Sequence, residues 1–161
     1  MKKTLITFLI TASAIASAND VVSRVIYSEA SDICSSNERY MVASVIKNRI
    51  GHPGFKLGKL KTMKDVVTQK GAFSCIGDSK NRNWKLSKSL TNKNKAFKLS
   101  TKLATVDFKP YLGVVYYHDK SLDTFPKSWN NRYWRVTKAL ETKHFVFYRI
   151  SPNQSKYINI K

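Results

Sequence analysis

Apolar positions along residues 20–50 recur at the spacing of helical faces. Val22, Val25 and Ile26 form one row, and Glu29 continues it at the next i+3/i+4 position. After a short connection, Met41, Val42, Val45, Ile46 and Arg49 mark one face of a second helix. Ser35 and Glu38 read as an S-x-x-E capping box ahead of it, Gly51 as its C-cap, and Pro53 prevents continuation. Gly54 to Leu60 is then a basic loop, and Thr62 to Gln69 a short helix with Met63, Val66 and Val67 inward. Lys70 to Cys75 reads as a turn running into an extended segment, and Gly77 to Asn83 as polar loop. Asn92 or Asn94 caps a further helix through Thr105, with Phe97, Leu99 or Ser100, Leu103 and Ala104 inward.

The last third changes character. Val114-Val115-Tyr116-Tyr117-His118 is β-branched and aromatic, bounded by Gly113 and the Asp119-Lys120-Ser121 turn, so it predicts a strand. Asp123 to Tyr133 reads as a loop. His144-Phe145-Val146-Phe147-Tyr148 predicts a second strand, able to pair antiparallel with the first. The expected class is α+β: one helix-dominated domain with a small antiparallel sheet, without repeats or low-complexity linkers.

The chain of 161 residues begins with Lys2 and Lys3, an apolar run from Leu5 to Ile15, and Ala16-Ser17-Ala18. This is the pattern of a secretory signal peptide over residues 1–18, with a mature domain over 19–161. The apolar run is shorter than the roughly 20 residues a spanning helix needs. A secreted or periplasmic product without a membrane span, and a monomer, is the expectation. Cleavage removes two lysines and no acid, taking the formal charge from +19 to +17. A field of that sign implies a polyanionic partner: nucleic acid, an anionic cell wall, lipopolysaccharide or anionic lipid. Export also permits Cys34 and Cys75 to pair, with two reduced core cysteines as the alternative. Two cysteines without a histidine cluster make no zinc site, so neither metal nor cofactor is expected.

Glu29 is the residue with the clearest chemistry. A carboxyl group on an apolar helix face must be paired, hydrogen-bonded or kept partly protonated, and the last condition makes a proton donor. A buried ion pair, with Arg49 as partner, is the purely structural reading. Of the three glutamates after the signal, Glu38 already has a capping role, and Glu141 lies near the closing strand. No G-x-S-x-G elbow, H-E-x-x-H or phosphate-binding glycine loop is present. His118 and His144 sit at strand ends and His52 in a turn. Trp129 to Trp134 puts aromatic residues beside Asn and Arg in a polar loop, which suits stacking on sugar rings or bases. Two further functional readings follow from the basic charge and the histidines. One is a secreted nuclease with His118 or His144 as base, the other a cationic binding protein without activity.

Arg24 to Ala30, followed by Val42 to Arg49, resembles the opening of the spore-cortex-lytic cell wall hydrolase family (the SleB/CwlJ-type catalytic domain). Ala72-Phe73-Ser74-Cys75 resembles its Q-F-S-x segment, Gly113 to His118 its glycine-led aromatic strand, and Lys143 to Tyr148 its closing G-x-H-x-F-Y. The resemblance implies a lysozyme-like fold that cleaves peptidoglycan glycan strands between N-acetylmuramic acid and N-acetylglucosamine. Glu29 falls on the family's acid/base glutamate, and relatives act as lytic transglycosylases that leave a 1,6-anhydro end. Phe73, Ser74, Tyr116 and His144 are expected to line the groove or touch substrate, and Asn48 and Arg49 to orient Glu29 or lock the helices. Peptidoglycan glycan strands and the anionic envelope are then the partners, with nucleic acid disfavoured. The family's Gly-Glu pair is Ser31-Asp32 here, ahead of the inserted-looking Ile33-Cys34, and its closing glycine is Lys143. Asp32 could act as a second carboxylate, which leaves hydrolysis open against the anhydro route.

Overall fold

A computed structural model of the chain describes residues 20–122, 126, 129 and 133–152. The expected signal peptide and most of the loop from Asp123 to Tyr133 lie outside the described residues. The described part is α+β, with five helices and one three-stranded antiparallel sheet. In order it runs α1 (20–29), α2 (Ser36–Asn48), α3 (Met63–Thr68), α4 (Arg82–Ser87), α5 (Lys95–Thr105), β1 (Val114–Asp119), β2 (Trp134–Glu141) and β3 (Phe145–Pro152). A single 3-10 turn covers Lys56–Gly58. No described helix is long and apolar enough to cross a membrane.

Helix starts follow the capping chemistry. Ser35 caps α2, and Glu38 returns its carboxylate to the Ser35 amide at 2.8 Å, completing the expected box. Thr62 and Asp65 make a second box at α3, and Asn94 caps α5 by accepting from the Phe97 amide at 2.8 Å. α2 ends at Asn48 with Arg49 as its C-cap, and Gly51 follows at φ 66°, where a side chain would strain the turn.

The core has two principal parts. Val22, Val25 and Ile26 of α1 meet Ala43 and Ile46 of α2, Val66 and Val67 of α3 and Leu103 of α5. The opposite face of α2 lays Met41, Val42 and Val45 on Val114, Phe145 and Phe147 of the sheet. β3 is the central strand, in the order β1-β3-β2. It reads as a continuous apolar run because Phe145 to Tyr148 are all buried. Asn48 Nδ2 donates to the carbonyls of Tyr111 (2.8 Å) and Val114 (2.9 Å), and Arg49 Nε to that of Val115 (2.8 Å). The end of α2 therefore fixes where β1 begins.

Three elements depart from the sequence reading. Lys70 to Cys75 forms successive turns rather than an extended segment. The polar stretch from Gly77 runs into α4, capped by Asn81, whose side chain accepts from the Trp84 amide at 2.8 Å. Six residues with Leu86 exposed give no helical apolar row to read. β2 was hidden for a different reason. A register shift between Lys138 and Leu140 breaks its alternation, and Val136 is its only buried position.

The Cys34–Cys75 disulfide is also corrected: both are buried free thiols. Cys34 packs with Ala30, Val42 and Phe145, whereas Cys75 belongs to the cluster of Val25, Phe73 and Val115. They occupy separate halves of the core.

Candidate functional site

α1 delivers Glu29 to the wall of a groove of about 780 Å³. The groove is walled by the ends of α1 and α2, the loops after α2 and α3, and the sheet. Among the expected residues it brings together Glu29, Arg49, Phe73, Ser74, Tyr116 and His144. Asn48 is not among its lining residues; it holds β1 to α2, as a locking residue would.

Glu29 is incompletely satisfied. Tyr117 Oη donates to its Oε2 at 2.7 Å, while Oε1 is buried and meets no donor in hydrogen-bond geometry. Tyr117 was not singled out from the sequence, although it sits in the aromatic strand. It lies edge-on to Phe145 at 5.4 Å, and its ring also contacts Phe147 at 5.7 Å. Burial, and then the Glu29 charge, push its hydroxyl pKa well above the usual phenol range. The Cys75 thiol is pushed up too, first by burial and then by the same carboxylate.

Arg49 makes no ion pair with Glu29. It is buried, and its guanidinium lies 4.9 Å from the Phe55 ring centroid, 5.2 Å from Phe73 and 5.3 Å from Tyr116. Burial lowers its pKa, opposed by the neighbouring Tyr117, Tyr116 and Glu29. A cation held by ring faces and a carbonyl leaves the glutamate's second oxygen without a donor, yet keeps positive charge nearby.

The aromatic surface extends along the groove. Tyr116 stacks on Trp129 with centroids 4.5 Å apart and planes 12° from parallel, and contacts Phe55 at 5.4 Å. Trp129 thus joins the groove, while Trp134 opens β2 and packs on His52 at 5.6 Å. Asn130 to Arg132 lie outside the described residues.

The histidines are held by neighbours. His118 Nδ1 meets the Asp119 carbonyl at 2.8 Å and must donate there, so in the neutral ring Nε2 accepts from Tyr148 Oη at 2.7 Å. His144 Nδ1 lies 3.1 Å from both oxygens of Glu38. His52 Nδ1 accepts from the Gly54 amide at 3.0 Å, and burial lowers its pKa.

Asp32 does not line the groove. Its carboxylate takes the Tyr27 hydroxyl at 2.8 Å and the Asn94 amide at 3.2 Å, tying the turn after α1 to the start of α5. The second carboxylate among the described lining residues is Asp119, at the end of β1, whose Oδ1 accepts from the Ser121 amide at 2.8 Å. Strand alternation gives the only signal for it, since Asp119 stands two positions beyond Tyr117 and so on the same face.

The sequence profile of the Cell Wall Hydrolase family matches residues 35–148. The match takes in Phe73, Ser74, Tyr116, Asp119 and His144, and begins beyond Glu29. No curated protein and no solved structure matches the chain. With well over half of its length matched, the chain belongs to the cell wall hydrolase family, whose name points to peptidoglycan-degrading activity.

Proposed function

We propose that this protein is an exported enzyme that cleaves peptidoglycan glycan strands between N-acetylmuramic acid and N-acetylglucosamine, with Glu29 as general acid/base. The observation that carries the reading is the state of Glu29. One oxygen is fixed by Tyr117, the other has no donor, and the carboxyl stands in a groove with stacked aromatics. Tyr117 orients the carboxyl group, and the side chain stands partly exposed in the groove wall.

In its acid form Glu29 gives a proton to the bridging oxygen as the bond to the anomeric carbon breaks. Two completions follow. The carboxylate can remove the proton of the muramoyl 6-hydroxyl, whose oxygen closes on the anomeric carbon and leaves a 1,6-anhydro end without water. Alternatively a water attacks, assisted by a second carboxylate, and a reducing end forms. Asp119 is the candidate for that second role, since Asp32 is committed elsewhere. The anhydro route is the one we favour, because it needs one carboxyl group and, of the two described carboxylates lining the groove, Glu29 is the one with a buried oxygen that meets no donor. The lysozyme-like fold belongs to the same proposal.

The nuclease alternative has weaker support. His118 has both ring nitrogens engaged, which leaves it unpoised as a base toward a phosphodiester, and the family match is to cell wall hydrolases. The positive charge serves instead to hold the enzyme on an anionic envelope, an attachment that salt should weaken.

The test is to incubate wild type and Glu29→Gln with insoluble peptidoglycan and identify the released muropeptides by mass spectrometry. Products one water lighter than hydrolytic muropeptides are expected. Full-mass reducing ends would replace the anhydro route with hydrolysis, and a fully active variant would overturn the role of Glu29.

A further inference from the structure

Outside the Glu29 constellation, the turn after α1, the first turn of α2 and the start of β3 bring together three side chains of different ligand type. Cys34 Sγ, a Glu38 carboxylate oxygen and a ring nitrogen of His144 lie within 4.8 Å of one another. A second depression, of about 500 Å³, opens onto all three, and Cys34 and His144 also line the main groove. The cluster is therefore reached from two sides.

We propose that Cys34, Glu38 and His144 form a binding site for a thiophilic divalent cation of the Zn²⁺ class, with solvent completing the coordination. The donor set is the first argument. Thiolate, imidazole and carboxylate together suit zinc-like ions, whereas calcium and magnesium take oxygen ligands and do not select sulfur. Spacing is the second. Ligand atoms on a tetrahedral zinc with bonds near 2.0–2.1 Å stand about 3.3 Å apart, and His144 Nδ1 is already 3.1 Å from both Glu38 oxygens. A cation can take the place of the bridging proton there, and the sulfur needs only to swing inward.

Pre-organisation is the third argument. Glu38 Oε2 accepts from the Ser35 amide at 2.8 Å and Oε1 from the His144 amide at 2.9 Å. Each carboxylate oxygen keeps a backbone donor, so the ligand is oriented before a cation arrives. On binding, the cation bonds to sulfur, the thiol proton leaves to solvent, and the imidazole coordinates through Nδ1 with its own proton on Nε2. The result clamps the start of β3 to the α1–α2 turn at the groove's rim.

The proposal is independent of the reaction assigned to Glu29, and so is its test. The chelator-treated full chain is titrated with Co²⁺ and read by absorbance. A thiolate-to-cobalt charge-transfer band should grow to one equivalent and be displaced by Zn²⁺. It should vanish in Cys34→Ser, persist in Cys75→Ser, and require more than about tenfold more Co²⁺ in His144→Gln. Zn²⁺ should raise the Tm of wild type and not that of Cys34→Ser. Absence of the band in wild type, its persistence in Cys34→Ser, or unchanged affinity in His144→Gln would overturn the site.

Discussion

Glu29 and Glu38 flank the same short turn, and their surroundings differ in kind. Glu38 is 2% exposed and accepts from the Ser35 amide and hydroxyl and from the His144 amide and ring. Burial alone would raise its pKa, but these donors outweigh it and bring the carboxyl down to about 2. Glu29 takes the Tyr117 phenol, has the Cys75 thiol beside its carboxylate, and keeps a buried oxygen with no donor. An unmet buried acceptor costs about 1–3 kcal/mol. The fold meets the full hydrogen-bonding capacity of one glutamate and withholds it from the other, and the withheld one stands in the groove. The first holds α2 to β3; the second is the one we propose for the chemistry.

The comparison breaks most sharply at Glu29. Glu29→Gln should lower muropeptide release by about a hundred- to ten-thousandfold, while its Tm stays equal or rises; a lower Tm with retained activity would reverse the assignment. Glu38→Ala should do the opposite, costing about 2–4 kcal/mol in denaturant unfolding by removing the box and stranding the His144 amide. Arg49→Lys is expected to cost about 2 kcal/mol, since an ammonium cannot sit among three ring faces and also reproduce the Nε–H bond to the Val115 carbonyl. Tyr117→Phe should lower kcat roughly tenfold, about 1.4 kcal/mol of barrier, with KM little changed; a selective rise in KM would make Tyr117 a binding residue instead.

The smallest effect concerns acid. Glu38 has its folded pKa depressed to about 2 against an ordinary 4.5. Its contribution is therefore present above pH 4.5 and lost as pH falls toward 2. Glu141 is depressed to about 2 as well, by hydrogen bonds and charge from Lys120 and Lys138 at the surface. Salt should screen the Glu141 part and leave the Glu38 part. Acid unfolding curves of wild type and Glu38→Gln at low and high salt separate the two.

Local rules made part of this protein readable. The Ser35–Glu38 box, the Asn94 cap and the turn at Gly51 depend on residues within a few positions, and so does the β-branched, aromatic run of β1. Glu29 could be singled out because its helix row is continuous with Val22, Val25 and Ile26. α4 and β2 escaped because one is too short for a helical period and the other has its alternation broken by a register shift.

The sequence by itself determined the starts of α2 and α3, the two aromatic strands, the fold class and the odd position of a carboxyl group on an apolar face. Only the tertiary structure decided what meets that group. The phenol on Glu29 comes from 88 residues away, and the imidazole on Glu38 from 106. It also separated the two cysteines, committed Asp32 to Tyr27 and Asn94, and turned Arg49 from an ion pair to a ring of aromatics. Caps and periods are set by bonds between near neighbours, which a linear reading contains. Contacts across such separations depend on how helices and sheet pack, and packing has no local signature.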